Sequence, residues 1–181
     1  MLSQYEPNPM FALVQKKETV FHHFFRRLPF QGGFVIAAGL ETLIDYLQSF
    51  HFDQEDINYL RTLKGNDDQA LFDEGFLSYL SQMEFTCDVD AVAEGTVIFP
   101  YEPLLRIQGP LIQCQILEGA ILNLMNFPSL IATKAARLRI AAKDDQLLEF
   151  GLRRAQGIDG ALTASRAAYI GGCNASSNVL A

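Results

Sequence analysis

The spacing of apolar and polar positions divides the chain into stretches of different period. Thr19–Leu28 (TVFHHFFRRL) is rich in aromatic and β-branched residues and predicts a strand, ended by Pro29 and turned by Gly32-Gly33. Phe34–Ala38 predicts a second, short strand. From Leu40 the period lengthens. Leu40, Leu43, Ile44 and Leu47 recur at i, i+3, i+4 and i+7, an amphipathic helix over about Glu41–Phe50. Asp53, with Asp56 three positions on, predicts a capped helix whose apolar face is Ile57 and Leu60. A further helix is predicted over Asp73–Met83, with Phe76, Leu77 and Leu80 on one side. Beyond Glu84 the helical spacing is lost. Asp90–Ala93, Thr96–Phe99 and Leu104–Ile107 predict three short strands, broken at Glu94-Gly95 and Pro100–Pro103, as a small antiparallel sheet or sandwich-like lid.

Leu111–Ala142 is helical again. Its first half is too apolar for a surface helix and predicts burial on most sides; Pro128 is expected to break it and Ser129 to start a second helix. Leu147–Gly151 predicts a buried strand. An arginine turn follows, and Thr163 is expected to cap a helix through Tyr169. Gly171-Gly172 end that helix, Cys173–Ala175 predicts another short strand, and Ser177 is expected as the N-cap of a helix cut off within its first turn. Met1–Thr19 is weakly patterned, with Pro7 and Pro9 against an early helix. The expected class is α/β: an α+β N-terminal domain over 1–110, buried connecting helices over 111–146, and the start of an α/β unit over 147–181. A lone strand–helix–strand start leaves an open edge and an apolar face, so the chain is expected to be a piece of a longer protein.

Composition narrows the function classes. With 181 residues, 49% hydrophobic and 19% charged, the chain has a globular composition. A net charge of −7 argues against nucleic acid or an anionic membrane as partner, since both need a basic field. Cys87, Cys114 and Cys173 form no CxxC pair and no metal spacing; buried, reduced thiols and a cytoplasmic location are expected. No secretory leader and no membrane span are expected.

Candidate chemistry gathers at LLEFGLRRAQGIDGALTA, Leu147–Ala164. In α/β proteins ligands bind at the C-terminal ends of strands. Arg153 and Arg154 follow such an end and offer forked donors to phosphate or carboxylate, while Gly157 and Gly160 permit close backbone approach. The alternative, pairing with Glu149 or Asp159 on a solvated loop, stays open. Phe150 is placed to stack on a planar ligand or to fill the core. Arg26-Arg27 offer a second phosphate contact or a surface pair. Lys134 and Arg137 share a helix face with a solvated stripe as the alternative. His22 and His23 point to opposite faces of a strand and cannot act as a metal pair, and His51 is isolated. No P-loop, GxSxG, HExxH or GxGxxG occurs, so the residues support an anion-binding site and no complete catalytic set.

Three runs carry a family likeness: FFRRLPFQGGFVIAAGLETLIDYL, AEGTVIFPYEPLLRIQGPLIQCQILEGAILNLMNFPSLIATKAARLR, and EFGLRRAQGIDGALTASRAAYIGG with SSNVLA. Over about Phe21–Ala181 the chain resembles the nicotinate phosphoribosyltransferases. That resemblance implies conversion of nicotinate and phosphoribosyl pyrophosphate to nicotinate mononucleotide and pyrophosphate, coupled to ATP hydrolysis, in NAD salvage. It implies the incomplete α/β barrel of the type II phosphoribosyltransferases, a homodimer, and Mg²⁺ and ATP for the full-length enzyme, with no cofactor for the fragment. It places Phe150 near the pyridine ring, Arg153 near the phosphates and Arg26 on a phosphate across the dimer, with Arg154, Thr163 and Ser165 in support. Two departures stand out. The family's opening TDLYxLTM is absent, Tyr5 being no safe substitute. The family's GTxAHS, whose histidine is phosphorylated by ATP, is not present, so the fragment alone is expected to be inactive. A non-catalytic module that pairs with full-length subunits, and a relative acting on nicotinamide or quinolinate, are the alternatives.

Overall fold

In the computed structural model, which describes residues 13, 14 and 16–180, the first strand finds its partner far along the chain. β1 (Glu18–His23) pairs antiparallel with β5 (Leu105–Pro110), whose other edge takes β3 (Asp88–Ala91). Phe21 and Val89 both lie opposite Ile107. β2 (Val35–Ile36) pairs with β4 (Val97–Ile98) in a separate ribbon. The three strands expected between Asp90 and Ile107 therefore exist, but not as one lid: the middle one joins β2, since Ala37 N–H also bonds Thr96 carbonyl at 2.9 Å. The readings of Tyr5, Pro7 and Pro9 lie outside the described residues.

The local rules hold for the early helices. α1 (Leu40–Ser49) turns Leu43 and Leu47 into the core. α2 (Gln54–Thr62) starts with the reciprocal capping box of Asp53 and Asp56. α3 (Glu74–Ser81) is capped by Asp73, whose carboxylate accepts from Phe76 N–H at 2.8 Å. α2 and α3 share a small cluster of Ile57, Leu77, Leu80 and Met83. The main core lies between the inward face of β5 (Leu105, Ile107), α1 and the first half of α4 (Leu111–Ala142), through Cys114, Leu117, Ile121 and Met125. Each of the larger fully buried aliphatic side chains there contributes roughly 2 kcal/mol by leaving water.

Pro128 does not break α4. The helix runs 32 residues without interruption, about 48 Å at 1.5 Å per residue. A proline lacks the N–H that would bond the carbonyl four residues back, here Leu124. That carbonyl faces Gly39 instead, whose φ of +101° and lack of Cβ allow the approach; a Cβ there would overlap Leu124 O. The hydroxyls that follow complete the seam. Ser129 Oγ lies 3.1 Å from both Ala38 N and Ala38 O, and Thr133 Oγ1 accepts from Ile36 N–H at 2.9 Å. By length and composition α4 is the one helix among the described residues that could cross a bilayer. Here Cys114, Met125, Ala132 and Thr133, all fully buried, face the sheets and the last helix.

The second half of α4 carries the C-terminal unit. β6 (Leu148–Glu149) and β7 (Ala175–Ser176) pair in parallel, joined through α5 (Gly157–Ile170). α5 docks where Gly171 leaves room for it; a Cβ there would overlap Ala132 O and meet Ala135 Cβ. Leu147, Ala135, Ala168 and Cys173 fill the space between. Arg139 fixes the connecting loop, donating to the carbonyls of Gly172 (2.9 Å), Lys143 (3.0 Å) and Asp145 (2.7 Å) and to Asn174 Oδ1. The strand is shorter than the expected Leu147–Gly151 and only half buried, because one sheet face is uncovered. The helix starts at Gly157 rather than Thr163: Gly157 takes φ +82° at its first position, and Gly160 sits within its first turn without breaking it. The described residues after Ser177, up to Leu180, form a turn.

Candidate functional site

Side chains alternate along β6. Leu147 packs against the helices and Glu149 reaches Ser165 on α5, so the odd positions face inward. Leu148 and Phe150 have the opposite parity and are 47% and 67% exposed. Phe150 thus stands on the uncovered face at the strand's C-terminal end, and is not core. A single 3-10 turn, Leu152–Arg154, follows at once, closed by Arg154 N–H on Gly151 O at 2.8 Å. Arg153 and Arg154 are both exposed on it. The structure therefore puts Phe150, Arg153 and Arg154 together at one strand end.

Neither arginine pairs with Glu149 or Asp159. Among the described residues the ion pairs are Arg61–Glu74, Arg106–Asp90, and Arg166 with Glu41 and Glu94. Glu149 is engaged otherwise. Its carboxylate lies 2.8 Å from Ser176 Oγ and 3.1 Å from Ser165 Oγ, and accepts from Gly151 N–H. Burial pushes its pKa up, but the donors from Ser176, Gly151 and Ser165 outweigh that and hold the carboxyl below its ordinary range.

Other cations approach the same end. Lys134 Nζ lies 5.1 Å from the centre of the Phe30 ring, a cation–π contact. Arg137 presses its guanidinium against Gly32. The turn between, Pro29–Gln31, holds Phe30 and Gln31 at φ +56° and +53°, a left-handed conformation that costs side-chain-bearing residues about 1 kcal/mol or more each. Lys134 and Arg154 line one cleft of about 470 Å³ between α4, β6 and α5, floored by Phe127, Ile131, Leu138 and Leu147. Lys134 and Arg137 are thus no mere solvated stripe: they seat the loop that begins at Arg26-Arg27. Arg26 is exposed, and Arg27 lines a small cavity of about 70 Å³ with His23 and Asn126. His23 is 6% exposed and bonds Asn126 Oδ1 at 3.0 Å through Nε2; burial pushes its pKa down against that hydrogen bond.

Thr163 and Ser165 lie elsewhere. Both line a hollow of about 840 Å³ with Thr42, Arg166 and Tyr169, and not the Lys134–Arg154 cleft. Ser165 connects to the turn only through Glu149. Arg166 was not singled out by the residue patterns, yet this lone cation of α5 pairs with two carboxylates. Its two terminal nitrogens donate to Glu94 at 2.9 and 2.6 Å and one also meets Glu41. Glu94 in turn accepts from Gly39 N–H (2.6 Å) and Leu40 N–H (3.1 Å), capping α1. The Arg166 guanidinium, with these amides, holds the Glu94 carboxyl below its ordinary value against burial. Among the described residues no group of three or more His, Cys, Asp or Glu could hold a metal ion.

Solved phosphoribosyltransferases share this architecture. Human nicotinic acid phosphoribosyltransferase superposes with a TM-score of 0.85 at 42% identity, over 94% of this chain and 34% of that one. A nicotinate-nucleotide pyrophosphorylase from Pyrococcus furiosus gives 0.69 at 27% identity, over 94% and 35%. The fold is thus that of the type II phosphoribosyltransferases, in its N-terminal portion. The family model described as the nicotinate phosphoribosyltransferase (NAPRTase) N-terminal domain matches residues 8–126. The nicotinate phosphoribosyltransferase of Caenorhabditis elegans is 52% identical over 163 residues, 90% of this chain and 28% of the relative. The chain belongs to the nicotinate phosphoribosyltransferase family, and it spans about a third or less of the length of these relatives.

Proposed function

We propose that these residues are the N-terminal part of an enzyme that joins nicotinate to the ribosyl phosphate of phosphoribosyl pyrophosphate, with ATP hydrolysis, in NAD salvage. The observation that carries this reading is the group of cations without carboxylate partners at the end of β6: Arg153, Arg154 and Lys134 beside an exposed Phe150. Forked guanidinium donors suit phosphate oxygens, and they stabilise the charge that develops on departing pyrophosphate. In this reading Phe150 stacks on the pyridine ring and Arg153 takes the phosphates. Arg154 and Lys134 add charge, Thr163 and Ser165 support α5, and Arg26 reaches a phosphate of the second subunit in a homodimer. Mg²⁺ would neutralise phosphate charge and ATP would drive the reaction forward. The setting is cytoplasmic.

By themselves these residues are proposed not to turn over. Among the described residues His22 and His51 are exposed with no acidic partner, and His23 is closed in the core. Steady-state assay of the 181-residue chain with nicotinate, phosphoribosyl pyrophosphate and ATP is expected to show no product, whereas robust turnover overturns that statement. Calorimetric titration with pyrophosphate tests the site: Arg153→Ala and Arg154→Ala should each weaken binding about tenfold, as for the loss of a charge-assisted hydrogen bond. Affinity unchanged in both variants refutes it. A second reading, a non-catalytic module that pairs with full-length subunits, draws on the uncovered face bearing Leu148 and Phe150. Co-purification with a full-length subunit favours that reading, and a stable monodisperse monomer opposes it.

A further inference from the structure

We propose that Glu149 is the positioning residue of the anion site: it clamps the Gly151 backbone and so holds the Leu152–Arg154 turn in register with Phe150. The inference rests on the anion-site reading above and adds a residue that touches no ligand.

Three contacts carry it. Gly151 N–H donates to Glu149 Oε1, and Gly151 O accepts from Arg154 N–H at 2.8 Å, so the carboxylate fixes the peptide from which the arginine turn hangs. Glu149 Oε2 faces Ser176 Oγ at 2.8 Å and Ser165 Oγ at 3.1 Å, and the two hydroxyls stand 3.0 Å apart. One carboxylate thereby ties together the ends of β6 and β7, the middle of α5 and the arginine turn. The Glu149 main chain joins in, its carbonyl accepting from Ser177 N–H at 2.9 Å. A Cβ on Gly151 would meet Glu149 Oε1 at 2.6 Å, so the glycine is also what lets the carboxylate come this close. A carboxylate with two oxygens and several lone pairs can accept all of these donors; an amide has a single acceptor oxygen and would turn its NH₂ toward a donor. Arg153 and Arg154 form no ion pair among the described residues that would order them.

The test follows the Gly151 amide by ¹H–¹⁵N NMR in the 181-residue chain while pyrophosphate is titrated. In the wild type the Gly151 proton should lie far downfield and follow one carboxyl titration with a midpoint below the usual range. Ser176→Ala, which removes one donor and leaves the fold's core untouched, should raise that midpoint. Glu149→Gln should collapse the downfield shift, release Leu152–Arg154 in heteronuclear relaxation and weaken pyrophosphate at least tenfold, with resonances of α1–α3 unchanged. Glu149→Asp, whose carboxylate is one methylene shorter, should restore part of the affinity. A Gly151 proton that does not titrate, or pyrophosphate affinity unaltered in Glu149→Gln, overturns the proposal. Where Glu149→Gln does not fold, the Ser176→Ala midpoint decides alone, and an unmoved midpoint is the refuting result. Wild-type chain that binds no pyrophosphate refutes the anion-site reading instead. The Glu149 clamp is then judged on relaxation of the turn, where equal order in Glu149→Gln and wild type refutes it.

Discussion

Glu94→Ala separates two roles that meet in one carboxylate. The side chain caps α1, accepting from Gly39 and Leu40 N–H, and it pairs with Arg166 on α5. Losing a helix cap costs about 1 kcal/mol. The ion pair joins a carboxylate whose side chain is 18% exposed to a guanidinium at 39%, so solvent screening keeps it near 1 kcal/mol. Glu94→Ala should therefore cost about 2 kcal/mol and Arg166→Ala about 1 kcal/mol, because the amides keep their acceptor only in the second variant. Urea unfolding followed by far-UV circular dichroism at pH 7 measures both. The pH dependence adds a sign. The folded state holds Glu94 below its ordinary 4.5, so the unfolded chain takes the proton first. The contribution is complete above that value and fades as pH falls through the folded pKa, so the gap between wild type and Glu94→Ala should narrow on acidification. If Arg166→Ala costs as much as Glu94→Ala, the capping role is wrong.

Gly39→Ala should destabilise by about 2 kcal/mol or more, since it combines a positive φ with overlap on Leu124 O; a urea midpoint within error of wild type would contradict the Pro128 seam. His23 carries the same sign as Glu94, in a higher pH window: burial depresses its pKa below 6.5, so the unfolded chain protonates first and stability is lost as pH falls below that value. His23→Leu should flatten the stability profile between pH 7 and pH 5, read from urea midpoints across that range. Burial pushes the Cys87 thiol up to about 12, helped by the nearby Cys114, and raises Cys114 and Cys173 as well. All three should resist a thiol reagent at pH 8 until the chain unfolds, and fast labelling of the native protein would show the core to be open.

What could be read from the sequence was what local spacing decides. The Asp53–Asp56 cap, the Leu43–Leu47 face and the turn after Glu149 depend on neighbours within a few residues, and each appeared as expected. The pairing of β4 with β2 rather than β3 was not legible, since two-residue strands leave too little pattern to choose a partner. Pro128 misled for a related reason. Its missing N–H is harmless only because Gly39, 89 residues earlier, meets the freed Leu124 carbonyl, and no local rule contains that contact. The site divided along the same line. Phe150, Arg153 and Arg154 are adjacent, so their clustering was readable. Thr163 was misread as a cap because Gly157 and Gly160 looked like loop residues. Arg166 and Glu94 stayed hidden because an ion pair across 72 residues leaves no periodicity.

The seam at Pro128 bears on where the molecule could be cut. Ile36 and Ala38, in the N-terminal third, send their amides to Thr133 and Ser129 rather than to another strand. Severing the chain after Pro110 would strand these two donors in an apolar interior and uncover Leu43, Leu105 and Ile107 together. A boundary drawn from strand and helix content would thus yield an insoluble piece. The shortest excerpt with a chance of folding must carry the rod-like helix at least through its second hydroxyl.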